Sequence, residues 1–195
     1  MTDYTSLPPD LVAPEDDGAT AHVVGQPAPA LVLEATDATD VDLAALGSGR
    51  TVIYLYPMTG NPGHDMPAGW DAFPGARGCT PESCSFRDHH QEMRDAGAHR
   101  VLGLSSQPRG YQRELVERLE LPYPLLSDEL LALAAALGLP TFTVGGMRLY
   151  KRQTLVLWDN VIEHVFYPVF PPNEHALQVL NWLRRHPVDA SAPSS

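Results

Sequence analysis

Two cysteines are all that this chain of 195 residues contains. That excludes the dense disulfide framework of small secreted domains. Long apolar runs are also lacking, and none approaches the ~20 residues needed to cross a bilayer. The opening Met1-Thr2-Asp3-Tyr4 has neither the basic stretch nor the apolar stretch of a signal peptide. The expectation is therefore a cytoplasmic protein with no membrane partner. Basic residues are scarce, 13 against 24 acidic ones, for a formal charge of −11. Phosphate binding needs a concentrated basic surface, so no nucleic-acid partner is expected. Arg184-Arg185 reads as a solvated helix end. Internal repeats and heptads are absent too.

What is present suits one globular domain. Apolar residues make up 44% of the chain, and its length allows a sizeable core. Residues 1–23 read as a flexible acidic extension, with Pro8-Pro9, Pro14 and Glu15-Asp16-Asp17 and few large apolar side chains. Residues 24–186 form the expected domain, and 187–195 a flexible tail. Within the domain, strand and helix signals alternate. Strands are expected over 31–33, 51–56, 100–104 and 125–126. Two more, over 149–158 and 161–167, are joined by a tight turn at Asp159-Asn160. Helices are expected from Thr80-Pro81 to about 96, and over 111–119, 130–137 and 174–185. Thr80 is the expected cap of the first, with Pro81 in its first turn. The order implies an α/β fold, a thioredoxin-like mixed sheet flanked by helices.

Residues 59–78 break the alternation. They are rich in Gly and Pro and show no periodicity. A loop this long inside a compact domain is usually functional or mobile. Trp70 and Phe73 are its conspicuous side chains, along with His64, Asp65 and Asp71. The two aromatics either wall a pocket or pack the loop down, and packing is the favoured reading.

Cys79 falls at the start of the helix that follows. Unpaired amides and the positive end of the helix dipole favour a thiolate there. A thiol of pKa ~8.5 is about 3% ionised at pH 7, and one near 6 is about 90% ionised. Cys84 lies five residues on. On one helix that is a rise of about 7.5 Å and a turn of about 140° beyond a full revolution. A disulfide between the two would require the first turns to unwind. The pair suits redox or metal chemistry. Zinc held by Cys79, Cys84, His89 and His90 is disfavoured by the spacing, so neither a metal nor another cofactor is expected.

Gly78-Cys79-Thr80-Pro81-Glu82-Ser83-Cys84-Ser85-Phe86-Arg87-Asp88 resembles the signature of the peroxiredoxins, most closely the bacterioferritin-comigratory (Q-type) branch. Further stretches are similar to family segments: Val24 to Pro29, Tyr54-Leu55-Tyr56-Pro57, Leu125-Leu126-Ser127-Asp128, and Arg152 to Leu157. The resemblance implies a thiol-dependent peroxidase acting on hydrogen peroxide or organic hydroperoxides. Cys79 would attack the peroxide and become a sulfenic acid, and Cys84 would resolve it as an intramolecular disulfide. Arg152 would hold thiolate and peroxide oxygens. Pro57, Thr59 and Glu82 are the implied substrate-binding residues, with Glu82 either orienting Arg152 or favouring the helix start. Thioredoxin or a similar dithiol would be the reductant, and the protein a monomer or weak dimer. A redox sensor or thiol–disulfide exchange protein acting on a partner is the alternative. One departure stands out. Pro57 lies 22 residues before Cys79 (79 − 57). That reflects an insertion, and it leaves the family's threonine without a clear counterpart.

Overall fold

The structure is a computed structural model and describes residues 7, 11–62 and 64–188. Most of the expected tail, and most of the first ten residues, lie outside the described residues. Nine strands are present among them: β1 (Val32–Ala35), β2 (Asp40–Asp42), β3 (Arg50–Leu55), β4 (Ala98–Ser105), β5 (Leu125–Ser127), β6 (Thr141–Val144), β7 (Met147–Tyr150), β8 (Gln153–Trp158) and β9 (Val161–Phe166). The α-helices are α1 (Cys79–Asp88), α2 (His90–Asp95), α3 (Arg109–Leu119), α4 (Ala132–Leu137) and α5 (His175–Arg185). Seven strands form one sheet in the order β2-β1-β5-β4-β3-β8-β9, and β6 pairs with β7 in a separate hairpin. The β5-β4-β3 centre is parallel, and its flanking pairs are antiparallel. This is the mixed sheet flanked by helices that the sequence implies.

β3 is buried along its whole length because both faces of the sheet are covered. Ile53 and Leu55 face a core shared with Leu133 and Leu137 of α4. Val52, Tyr54 and Tyr56 face the opposite core, shared with Phe86 of α1, Leu115 of α3 and Leu180 of α5. The β8–β9 turn occurs at Asp159 and Asn160, both at positive φ (46° and 66°), as a tight hairpin of twisted strands requires. The segment before residue 24 also touches this body. Val23 is fully buried, and Asp17 pairs with Lys151 at 2.8 Å.

Three local expectations change. The first helix starts at Cys79, and its N-cap is Gly78 instead of Thr80. Gly78 sits at φ 98°, and a Cβ there would meet Pro172 Cγ at 2.3 Å, so both backbone and space demand glycine. That helix also breaks at His89, which leaves helical geometry (φ −101°, ψ 7°). The His89 ring lies 2.9 Å from the Ser85 carbonyl, using an acceptor of the helix itself. Finally, the strand expected over 149–158 is two strands, β7 and β8. The chain turns between sheets at Lys151-Arg152, and that corner aims Arg152 at the start of α1. β2 and β6 were not foreseen, being only three and four residues long. No helix among the described residues is long and apolar enough to cross a membrane.

Candidate active site

Cys79 is the first residue of α1 and is 3% exposed. Cys79 is one of the residues that line a cavity of about 520 Å³. Residues of the 59–78 insertion supply much of the rest, including Met66, Pro67, Trp70 and Ala76. Trp70 and Phe73 also anchor the insertion. Phe73 stacks on Phe142 of β6 at 3.8 Å between ring centroids, and Trp70 lies 6.3 Å from the same ring. The unforeseen β6–β7 hairpin is thus the platform on which the insertion packs, with Trp70, Ala76, Phe142, Val144 and Leu149 as a small core. Packing is the role of both aromatics, and Trp70 walls the cavity as well.

Arg152 reaches Cys79 across the fold. Its Nη2 lies 3.1 Å from Sγ and also donates to the Arg77 carbonyl at 3.0 Å. Nη1 donates to Glu82 Oε2. Arg152 and Glu82 are both buried, with 2% and 0% of their side chains exposed. Among the described residues, Glu82 Oε1 and Arg152 Nε have no hydrogen-bond partner. The sulfur has a second possible contact, 3.6 Å to the Ala76 carbonyl, which only the protonated thiol can donate.

The electrostatics oppose the simple expectation of a helix start that lowers the thiol. Burial pushes Cys79 up, Arg152 pulls it down, Glu82 pushes it up again, and the Met58 amide favours the thiolate. Burial also pushes Glu82 up to about 7, against the pull of Arg152. At Cys84, burial raises the thiol, Arg87 and Arg118 lower it, and Asp88 raises it.

The other expected residues are distributed unevenly. Thr59 is on the cavity wall, but its hydroxyl donates to Gln107 Oε1 at 3.1 Å, and Gln107 also accepts the Thr59 amide at 2.9 Å. Pro57 is not among the described residues that line the cavity, and its carbonyl accepts from Ser105 Oγ at 3.1 Å. Cys84 is on the same unbroken helix as Cys79, and both are free cysteines. The fold therefore gathers Cys79, Glu82 and Arg152, sets Thr59 beside them, and leaves Cys84 apart. Sequence reasoning missed Gln107 and His175. His175 is fully buried with its Nε2 2.7 Å from Thr154 Oγ1, and burial holds it down to about 4. Neither carries a local signal, since each matters only through residues distant in the chain.

The Redoxin family pattern matches residues 23–180. A chloroplastic peroxiredoxin Q of Suaeda salsa is 31% identical over 161 residues, covering 82% of this chain and 67% of that protein. The chloroplastic peroxiredoxin Q of Oryza sativa subsp. japonica is 30% identical, over 82% of this chain and 66% of its own length. The chain thus spans about two thirds of the length of these curated relatives. Among solved structures, peroxidoxin BcpB of Mycobacterium tuberculosis superposes with a TM-score of 0.66 at 28% identity, over 83% of this chain and 96% of that one. A Xanthomonas campestris peroxiredoxin Q, at 23% identity and TM-score 0.62, covers 91% of this chain and 97% of its own, and shows the shared fold. Fold and comparisons together define a peroxidase oxidoreductase of thioredoxin-like fold. The chain belongs to the Redoxin family, and within it to the Q-type peroxiredoxins.

Proposed function

We propose that the protein reduces hydrogen peroxide or organic hydroperoxides through Cys79, with Cys84 as the resolving thiol and thioredoxin or a similar dithiol as the reductant. The observation that carries this reading is the Arg152 guanidinium, 3.1 Å from the buried sulfur of a cavity-lining cysteine. The Cys79 thiolate attacks one peroxide oxygen. An S–O bond forms as the O–O bond breaks, and the departing oxygen takes a proton and leaves as water or alcohol. Arg152 steadies the thiolate and offers donors where charge develops on the departing oxygen. Thr59 remains available through the lone pairs of its hydroxyl, whose hydrogen is held by Gln107. Pro57 acts indirectly, by shaping the end of β3.

Resolution needs α1 to move. Residues five apart on a helix stand too far apart, and point too differently, for a disulfide. Cys84 therefore condenses with the sulfenic acid only after the first turns unwind, releasing water and leaving a disulfide. A dithiol donor then exchanges with that disulfide and restores both thiols.

Intact mass after one equivalent of peroxide tests the assignment. The wild type should lose about 2 Da, and a Cys84→Ser protein should gain about 16 Da. A Cys79→Ser protein should consume no peroxide in stopped flow, and full turnover by that variant would remove Cys79 from the mechanism.

A further inference from the structure

Arg152 is a single fixed positive charge between two acids. Nη2 lies 3.1 Å from Cys79 Sγ, and Nη1 donates to Glu82 Oε2. The acids are three residues apart on α1, so they share one face of its first turn. Cys79 is 3% exposed and Glu82 is fully buried. Arg77, two residues before Cys79, lines the same cavity, and its Nε is paired with Asp71 at 2.6 Å. Among the described residues, the phenols and the imidazole turned toward this trio are not cations. Tyr54 of β3, Tyr56 just after it and Tyr123 before β5 are buried phenols that burial holds above their usual range. His175 of α5 is held neutral by burial, down to about 4. A thiolate and a carboxylate ionised together would leave one negative charge uncompensated and away from water. Glu82 Oε1 points the same way. Among the described residues it has no hydrogen-bond partner, which costs less on a neutral carboxylic acid than on a carboxylate.

We infer that Cys79 and Glu82 hold one proton between them, so that Glu82 keeps it while Cys79 is a thiolate and gives it up once oxidation leaves Cys79 neutral. The inference rests on Cys79 being the peroxide-reactive thiol. Before reaction the trio is thiolate, guanidinium and carboxylic acid. Afterwards it is sulfenic acid, guanidinium and carboxylate, with the same net charge. The S–O bond forms, the O–O bond breaks, and the departing hydroxide or alkoxide takes up one proton. The proton that Glu82 releases balances that uptake. Glu82 then replaces Cys79 as the counter-ion of Arg152. Glu82 is not part of the cavity wall, so it is a positioning residue that acts through Arg152.

Alkylation of Cys79 by iodoacetamide, followed against pH in a Cys84→Ser background, tests this. Replacing Glu82 by Gln keeps an acceptor for Arg152 and puts a permanently neutral group where the proposal puts a carboxylic acid. Alkylation at about pH 6 should then stay within about twofold of wild type. If Glu82 were a carboxylate beside the thiolate, removing its charge would speed alkylation about tenfold, the equivalent of one pKa unit. If its charge were needed to hold Arg152, the substitution would slow alkylation. A rate changed beyond that range in either direction overturns the proposal. Should Glu82→Gln fail to fold, the wild type decides alone. Its infrared difference spectrum between reduced and disulfide forms, at about pH 6, should show the carbonyl stretch of a protonated carboxylic acid that disappears on oxidation. Absence of that band also overturns the proposal. Peroxide consumption measured on the same wild-type sample separates the two readings. No consumption sinks the peroxidase assignment, whereas consumption without the band sinks only the shared proton.

Discussion

The proposed chemistry concentrates on three side chains with unequal charge. Arg152 is the group the others depend on, because it is buried and reaches Cys79, Glu82 and the Arg77 carbonyl together. A guanidinium suits this place better than an ammonium, since its fixed fork can serve two acids at once. Arg152→Met is expected to lower the second-order rate with peroxide by about 10²–10³-fold, the usual loss on removing one donor to developing charge. Single-turnover stopped flow on the reduced enzyme measures it. A variant within about twofold of wild type would show that the helix start and the Met58 amide suffice. The residues Cys79, Glu82 and Arg152 were legible in the sequence through the family signature. The resemblance also implied that Arg152 meets Cys79 and offered Glu82 as its partner, but nothing local to either residue showed it, because 70 residues separate Glu82 from Arg152.

At the scale of elements, the proposed cycle asks α1 to be stable in one state and to yield in the next. It is held by its own ladder and by two phenols. Tyr123 donates to the Ser83 carbonyl at 3.0 Å, and Tyr54 donates to Ser83 Oγ at 3.2 Å. Phe86 stacks on Tyr54 with ring centroids 4.2 Å apart. These contacts fall between or just beyond the two cysteines, on the turns that open in the proposed cycle. Tyr123→Phe removes one hydrogen bond from the closed helix, a loss of about 1 kcal/mol. The opened form should then be about fivefold more populated, and disulfide closure about fivefold faster. Rapid-mixing measurement of sulfenic acid decay checks this, and an equal or slower decay would mean that Ser83 lies outside the opening segment. The break at His89 belongs to the same element. It confines α1 to ten residues, so unwinding near Cys79 need not propagate into α2.

For the whole molecule, two buried groups make opposite pH contributions in nearly the same window. Glu82 is raised to about 7 from 4.5, so between those values the folded state binds the extra proton and stability falls as pH rises. His175 is lowered to about 4 from 6.5, so there the unfolded state binds the extra proton and stability rises with pH. Between about pH 4.5 and 6.5 the two slopes offset each other. Glu82→Gln removes one of them. The variant should gain stability with rising pH across that window, by up to roughly 1.4 kcal/mol per pH unit relative to wild type. Urea unfolding at a series of pH values gives this difference directly. Parallel curves for the two proteins would mean that Glu82 titrates alike folded and unfolded.

The sequence alone determined what depends on neighbours along the chain. The β-branched and aromatic run of β3 dictates a buried central strand, and Asp159-Asn160 dictates a tight turn because both residues tolerate positive φ. The cysteine signature picked out Cys79 for the same reason, since its helix start is local. Tertiary structure alone decided what depends on distant partners. It split one expected strand at Arg152, turned the Thr59 hydroxyl to Gln107, and set the insertion on the β6–β7 hairpin. Above all it buried the thiol that the helix start alone was expected to ionise. A proton's affinity is fixed by nearby charge and by loss of water, and both come to Cys79 from residues far away in sequence.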